Sequence, residues 1–117
     1  MRKNSIKNLR INNEVQRELS EIIRELKDPR IHPLTSVTAA EVAADLRSCR
    51  VYISVMAGEE ERASAMEGLN SAGGFIRREL AHRLNLRNTP ELRFINDTTI
   101  EDAMNMMRKI DEVNNKQ

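Results

Sequence analysis

Two adjacent glycines, Gly73 and Gly74, interrupt a stretch of chain that otherwise reads as one long helix. Before them, Glu59 to Ala72 is helical by composition, with Ala63, Met66, Leu69 and Ala72 on one stripe. After them, Phe75 to Leu86 resumes the pattern, with Ile76, Leu80 and Leu84 at every fourth position. Glycine costs a helix interior roughly 1 kcal/mol relative to alanine. A pair therefore predicts a break or kink, and two helices meeting at an angle instead of one rod. Glycine also has no Cβ, so a second backbone can approach there closely.

The flanking segments supply the partners for this helix pair. Ile11, Val15, Leu19, Ile22, Ile23 and Leu26 recur at spacings of three and four, which predicts an amphipathic helix starting as early as Ser5. It must end near Asp28, because Pro29 disfavours helical geometry in the residue before it. Leu34 to Ala43 reads as a strand, although its alanines are also compatible with helix. Asp45 to Ser48 is the expected hairpin turn. Cys49, Val51, Ile53 and Val55 alternate with polar or larger residues, a strand with one buried face. Leu92, Phe94 and Ile95 suggest a short third strand. Thr98 and Glu101 have capping-box spacing at the head of a last helix, whose apolar stripe runs from Ile100 to Val113 and needs burial. A hairpin and a third strand covered by helices make an α+β two-layer domain.

The chain of 117 residues fits one domain, taken as 1–117 with a core of about 5–97 and a C-terminal helix of about 99–113. Its net charge of +1 conceals a pattern. Residues 1–30 carry +3, 31–76 carry −3, 77–95 carry +3 and 96–117 carry −2. Basic charge is thus concentrated in the first helix and just after the glycine pair, which allows a positive face on a nearly neutral protein. A single cysteine, Cys49, excludes an intrachain disulfide and fits a reducing compartment. No apolar run approaches the length of a membrane span, and no secretory leader is expected, so the expected location is the cytoplasm. Two Phe, one Tyr and no Trp leave little material for aromatic stacking platforms.

Catalytic signatures are missing. There is no Walker loop, dinucleotide fingerprint or metal motif, so no catalytic residue, metal or cofactor is expected. His32 and His82 are far apart and lack partners at ligand spacing. His82 lies on the polar side of its helix, where a phosphate contact suits it better than catalysis. Cys49 is in phase with Val51 and Ile53 and is expected as a buried small hydrophobe. A helix cap accounts for Asp97, Thr98 and Thr99. Met104, Met106 and Met107 are expected as core plus surface.

The glycine pair then has three readings: an architectural bend, a site that meets a nucleic-acid backbone as the glycine loop of KH domains does, or a protein-docking surface. On a helical wheel, Ile76, Leu80 and Leu84 mark the buried side. Arg78, His82 and Asn85 fall opposite, and Arg77 and Arg83 flank the apolar stripe. The free amides at the start of the second helix also favour an anion. Cations and amides near Gly73 and Gly74 fit phosphate contact without sequence reading.

Several blocks of the chain, in order, resemble the ribosome-binding factor A family. They are Leu26-Lys27-Asp28-Pro29-Arg30, Ala72-Gly73-Gly74-Phe75-Ile76-Arg77, Leu84-Asn85-Leu86-Arg87 and Thr89-Pro90-Glu91-Leu92-Arg93-Phe94. The resemblance implies a type-II KH-like fold in which an alanine-x-glycine kink, here Ala72-Gly73-Gly74, replaces the usual glycine loop. It implies a non-enzymatic bacterial factor, tied to growth at low temperature. Such a factor binds the free small (30S) ribosomal subunit and its 16S rRNA during late maturation and 5′-end processing. This chain differs in having glycine at the middle kink position and a short C-terminal tail. The expected RNA contacts are Gly73, Gly74, Arg77, Arg78, His82, Arg83 and Arg87, with Lys3, Lys7 and Arg10 extending the patch. A monomer is expected. The alternative is a protein-interaction module without RNA contact, using the last helix or an exposed strand edge.

Overall fold

Helical periodicity in the first segment produces α1 (Ile6–Glu25), which places Val15, Leu19 and Ile22 in the interior. The computed structural model describes residues 6–86 and 88–115, with backbone alone at 6–8, 100–101 and 111–115. The helix stops before Pro29, and its last turn closes with the Leu26 amide donating to the Ile23 carbonyl. In the connector, the Asp28 carboxylate accepts from the Arg30 backbone amide at 2.9 Å and from its guanidinium at 2.7 Å. Those bonds hold the Asp28 carboxyl below the usual carboxylate range.

Three strands follow the alternation read from the sequence. β1 (Thr35–Val42) pairs antiparallel with β2 (Ser48–Val55), and β3 (Glu91–Asn96) pairs parallel with β2, giving the order β1-β2-β3. The parallel pairing is possible because α2 (Glu59–Ser71) and α3 (Gly73–Leu84) carry the chain back between β2 and β3. The strand ambiguity at the alanines resolves in favour of strand, because Val42 pairs with Cys49 and Ala40 with Val51. A register shift between Val37 and Ala39 leaves Thr38 unpaired in the ladder, and its hydroxyl donates to the Asp97 carboxylate at 2.8 Å.

Cys49, Val51, Ile53 and Val55 point into the helical layer and meet Val15, Leu19, Leu69, Ile76 and Leu80 in one cluster. Full burial of each Leu or Ile contributes roughly 1.5–3 kcal/mol. Cys49 behaves as the expected small hydrophobe, and burial pushes its thiol up to about 11. The order αββααβ with helices against one face of the sheet is the type-II KH-like arrangement. The outward edge of β1 is covered by α1. Gln16 Nε2 donates to the Val37 and Thr38 carbonyls at 3.2 and 3.1 Å, and Asn12 Oδ1 accepts from the Val42 amide at 2.9 Å.

Two faces differ from the sequence reading. In α2 the buried residues are Ala65, Gly68 and Leu69, while Ala63 is exposed. The helix turns Gly68 toward the connector: a Cβ there would lie 3.0 Å from Ile31 Cγ1 and 3.2 Å from Arg30 Cβ. The last helix, α4 (Thr99–Asn115), exposes the described part of its stripe, 102–110. Met104, Met106, Met107 and Ile110 are all exposed, so the methionines are surface residues. The helix is anchored at its start, where Asp97 Oδ1 accepts from the Thr99 amide and hydroxyl. The Thr98 hydroxyl donates to the Asp102 carboxylate, and the Glu101 side chain lies outside the described residues.

Candidate nucleic-acid interface

The break between α2 and α3 falls on Ala72, whose backbone (φ −85°, ψ 1°) leaves helical geometry. Gly73 and Gly74 then form the first turn of α3. Neither is needed for a left-handed backbone, since no described glycine has positive φ. Packing does not require them either. A Cβ on Gly73 would meet only the Phe94 ring at 3.9 Å, and one on Gly74 would meet nothing within 4 Å. The amides of Gly73, Gly74 and Phe75 open α3 and have no acceptor one turn back in the helix. Amides left unpaired at a helix start favour an approaching anion.

Helical spacing puts Gly74, Arg78 and His82 on one exposed face, with Asn85 completing it. This face forms one wall of an open groove of about 1230 Å³. Arg77, Arg78, Ala81, His82 and Asn85 line that wall. The glycines lie a turn before it, outside the lining. The opposite wall is the β1–β2 turn, with Asp45, Leu46 and Arg47, and the floor is Asn88, Thr89 and Glu91. Three arginines thus face two carboxylates, and Asp45 already accepts from the Arg47 backbone amide at 3.0 Å. Arg77 braces the floor by donating to the Thr89 carbonyl at 2.8 Å, which occupies one of its five N–H groups.

Arg47 was not among the residues expected from sequence. It reaches the groove because β3 runs parallel to β2, with the Glu91 amide donating to the Arg47 carbonyl at 2.9 Å. That register brings the hairpin turn beside the segment leaving α3. A charged residue in a predicted turn was the only local signal for it.

Arg83 is drawn elsewhere. It meets three α1 glutamates, with Glu25 at 2.7 Å, Glu21 at 3.3 Å and Glu18 at 3.7 Å, and its side chain is only 24% exposed. Desolvation works against this cation, yet Glu25, Glu79 and Glu18 more than offset it and raise its pKa. The structure makes Arg83 a clamp between α3 and α1, away from the groove. Arg10 is exposed on α1 and does not line the groove. Lys3 and Arg87 lie outside the described residues, as does the side chain of Lys7. Among the described residues no His, Cys, Asp or Glu group could hold a metal ion, and no helix is long and apolar enough to cross a membrane.

The model of the family described as ribosome-binding factor A matches residues 7–110. This chain belongs to the ribosome-binding factor A family. A ribosome-binding factor A of Lachnospira eligens is 60% identical over 97% of this chain and 88% of its own. The crystal structure of the Thermus thermophilus factor is similar at a TM-score of 0.68 and 29% identity, over 76% of this chain and 94% of that one. A homology model of the Thermus thermophilus factor, fitted into the electron cryo-microscopy map of a 30S complex, is similar at a TM-score of 0.63. It is 30% identical, over 74% of this chain and 90% of that one.

Proposed function

We propose that this protein is a ribosome assembly factor that binds the free small subunit, with phosphates of its 16S rRNA seated in the groove of Arg47, Arg77, Arg78 and His82. The observation that carries this reading is the shared face of α3. Gly74, Arg78 and His82 follow one another there at one-turn intervals, and Arg77 and Arg47 line the same groove. Such a wall suits a backbone laid along it and reads no base. Lys3, Lys7, Arg10 and Arg87 would extend the contact, whereas Arg83 would act indirectly by holding α3 on α1. The role is one of binding in the cytoplasm by a monomer acting as a single domain, with no reaction catalysed. Late maturation and 5′-end processing follow from the family resemblance. A protein-docking module without RNA contact would leave the arginine groove without a purpose.

Co-sedimentation with small subunits, large subunits and whole ribosomes at several salt concentrations tests the proposal. Binding should favour immature small subunits. Arg78→Ala and Arg47→Ala should each lower the salt slope by about one. Salt-insensitive binding that both variants leave untouched would overturn it.

A further inference from the structure

The chain has three aromatic side chains, Tyr52, Phe75 and Phe94. Tyr52 is partly buried on β2, and Phe94 packs against the core from β3. Phe75 alone is exposed, at 47%, in the first turn of α3. Neither packing nor helix propensity asks for a phenylalanine there. Ile76 and Leu80 already fill the core side of α3, and a polar straight-chain residue would favour the helix more. Its neighbours one turn on are Arg78 and Glu79, both charged, so the helix offers no apolar patch around it of the kind that marks a protein interface.

Phe75, Arg78 and His82 follow at i, i+3 and i+7 and form one exposed stripe along α3. Arg78 and His82 line the groove, and Phe75 lies one turn before Arg78, outside the lining. All three side chains end in a flat group. A phenyl ring, a guanidinium and an imidazole are the surfaces on which unpaired bases stack. Neighbours at this spacing have Cβ atoms about 5–6 Å apart. A nucleotide whose phosphate meets Arg78 can therefore bring its base over Phe75. A base inside a duplex cannot, because it is already stacked and paired.

We infer that Phe75 is a stacking platform for one unpaired base of the bound RNA, with phosphates of the same strand on Arg47, Arg77 and Arg78. The inference rests on the groove being the RNA site, and it makes the RNA held there single-stranded. Stacking accepts any base, since each has a π-face, so the contact adds affinity without reading sequence. It releases no counterions, unlike the phosphate contacts beside it. The two kinds of contact can therefore be told apart on one strand.

Because the chain contains no tryptophan, Phe75→Trp installs a single fluorescent reporter at the platform. The whole chain is titrated with a single-stranded RNA of about ten nucleotides, with the same sequence as a duplex, and with inorganic polyphosphate. The single strand should quench the tryptophan, whereas polyphosphate should occupy the groove without quenching it. Phe75→Tyr should bind the single strand as wild type does. Phe75→Leu keeps the apolar bulk and loses the π-face, and should bind about fivefold or more weakly with an unchanged salt slope. Leucine is the better helix former at this exposed position, and a melting temperature near that of wild type would show that the variant folds. Undiminished binding by Phe75→Leu, or quenching by duplex or polyphosphate as deep as by the single strand, overturns the platform while leaving the groove intact. A salt slope on small subunits that Arg47→Ala and Arg78→Ala do not lower would remove the groove itself, and the platform with it.

Discussion

Gly74 separates stability from function. Nothing lies within 4 Å of the position a Cβ would take, and its backbone φ is not positive, so alanine fits without strain. Gly74→Ala should therefore raise stability by about 0.4–1 kcal/mol, seen as a higher urea midpoint. If an RNA backbone approaches α3 here, the same variant should bind small subunits more weakly. Unchanged binding would reduce the glycine to a tolerated local weakness. The sequence showed the break but not its position, because the residue that leaves helical geometry is Ala72 and the glycines are helical. Arg83 was similarly half legible. Its flanking position on the wheel was apparent, but the α1 glutamates that claim it lie 58 to 65 residues earlier, a proximity only the fold creates.

Among the elements, α1 and β2 were the most readable, since each buries one face and repeats its apolar residues at a single period. α2 was read in part: Leu69 is buried and Met66 and Ala72 pack against the core as expected, whereas Ala65 and Gly68, small residues with almost no hydrophobic signal, were missed. Gly68→Ala tests the contact with the connector. The new methyl would press on Ile31 and on Arg30 Cβ, which is tied to the backbone. Stability should fall by about 1 kcal/mol despite the better helix former, measured by urea unfolding. For α4 the sequence left open whether the stripe packs on the domain or meets a partner, and in this chain its described residues Met104, Met106, Met107 and Ile110 are exposed. Its junction with the sheet depends on Asp97. Bonds from the Thr99 hydroxyl, the Thr99 amide and the Thr38 hydroxyl hold the Asp97 carboxyl below the usual range. A depressed folded-state pKa gives stability that is present above the unfolded value and lost as pH falls through the folded one. The link should therefore hold at neutral pH and weaken only under acid conditions below the ordinary aspartate range. Asp97→Asn should remove that part of the acid sensitivity, as followed by amide exchange at the start of α4.

Across the whole molecule, two mixed clusters of charge are built on α3. The groove gathers Arg47, Arg77 and Arg78 with Asp45 and Glu91, while Glu18, Glu21 and Glu25 of α1 meet Arg83 of α3. Arg83→Ala should lower the melting temperature, most at low salt, yet leave the salt slope of subunit binding unchanged, in contrast to Arg78→Ala. The amide side chains of α1 matter at this scale too. A second copy of the chain arriving at β1 finds the Val42 amide and the Val37 and Thr38 carbonyls already engaged by Asn12 and Gln16. Strand exchange and aggregation through that edge are therefore opposed from within the chain itself. Because α1 precedes β1 in the chain, the guard is synthesised before the edge it protects.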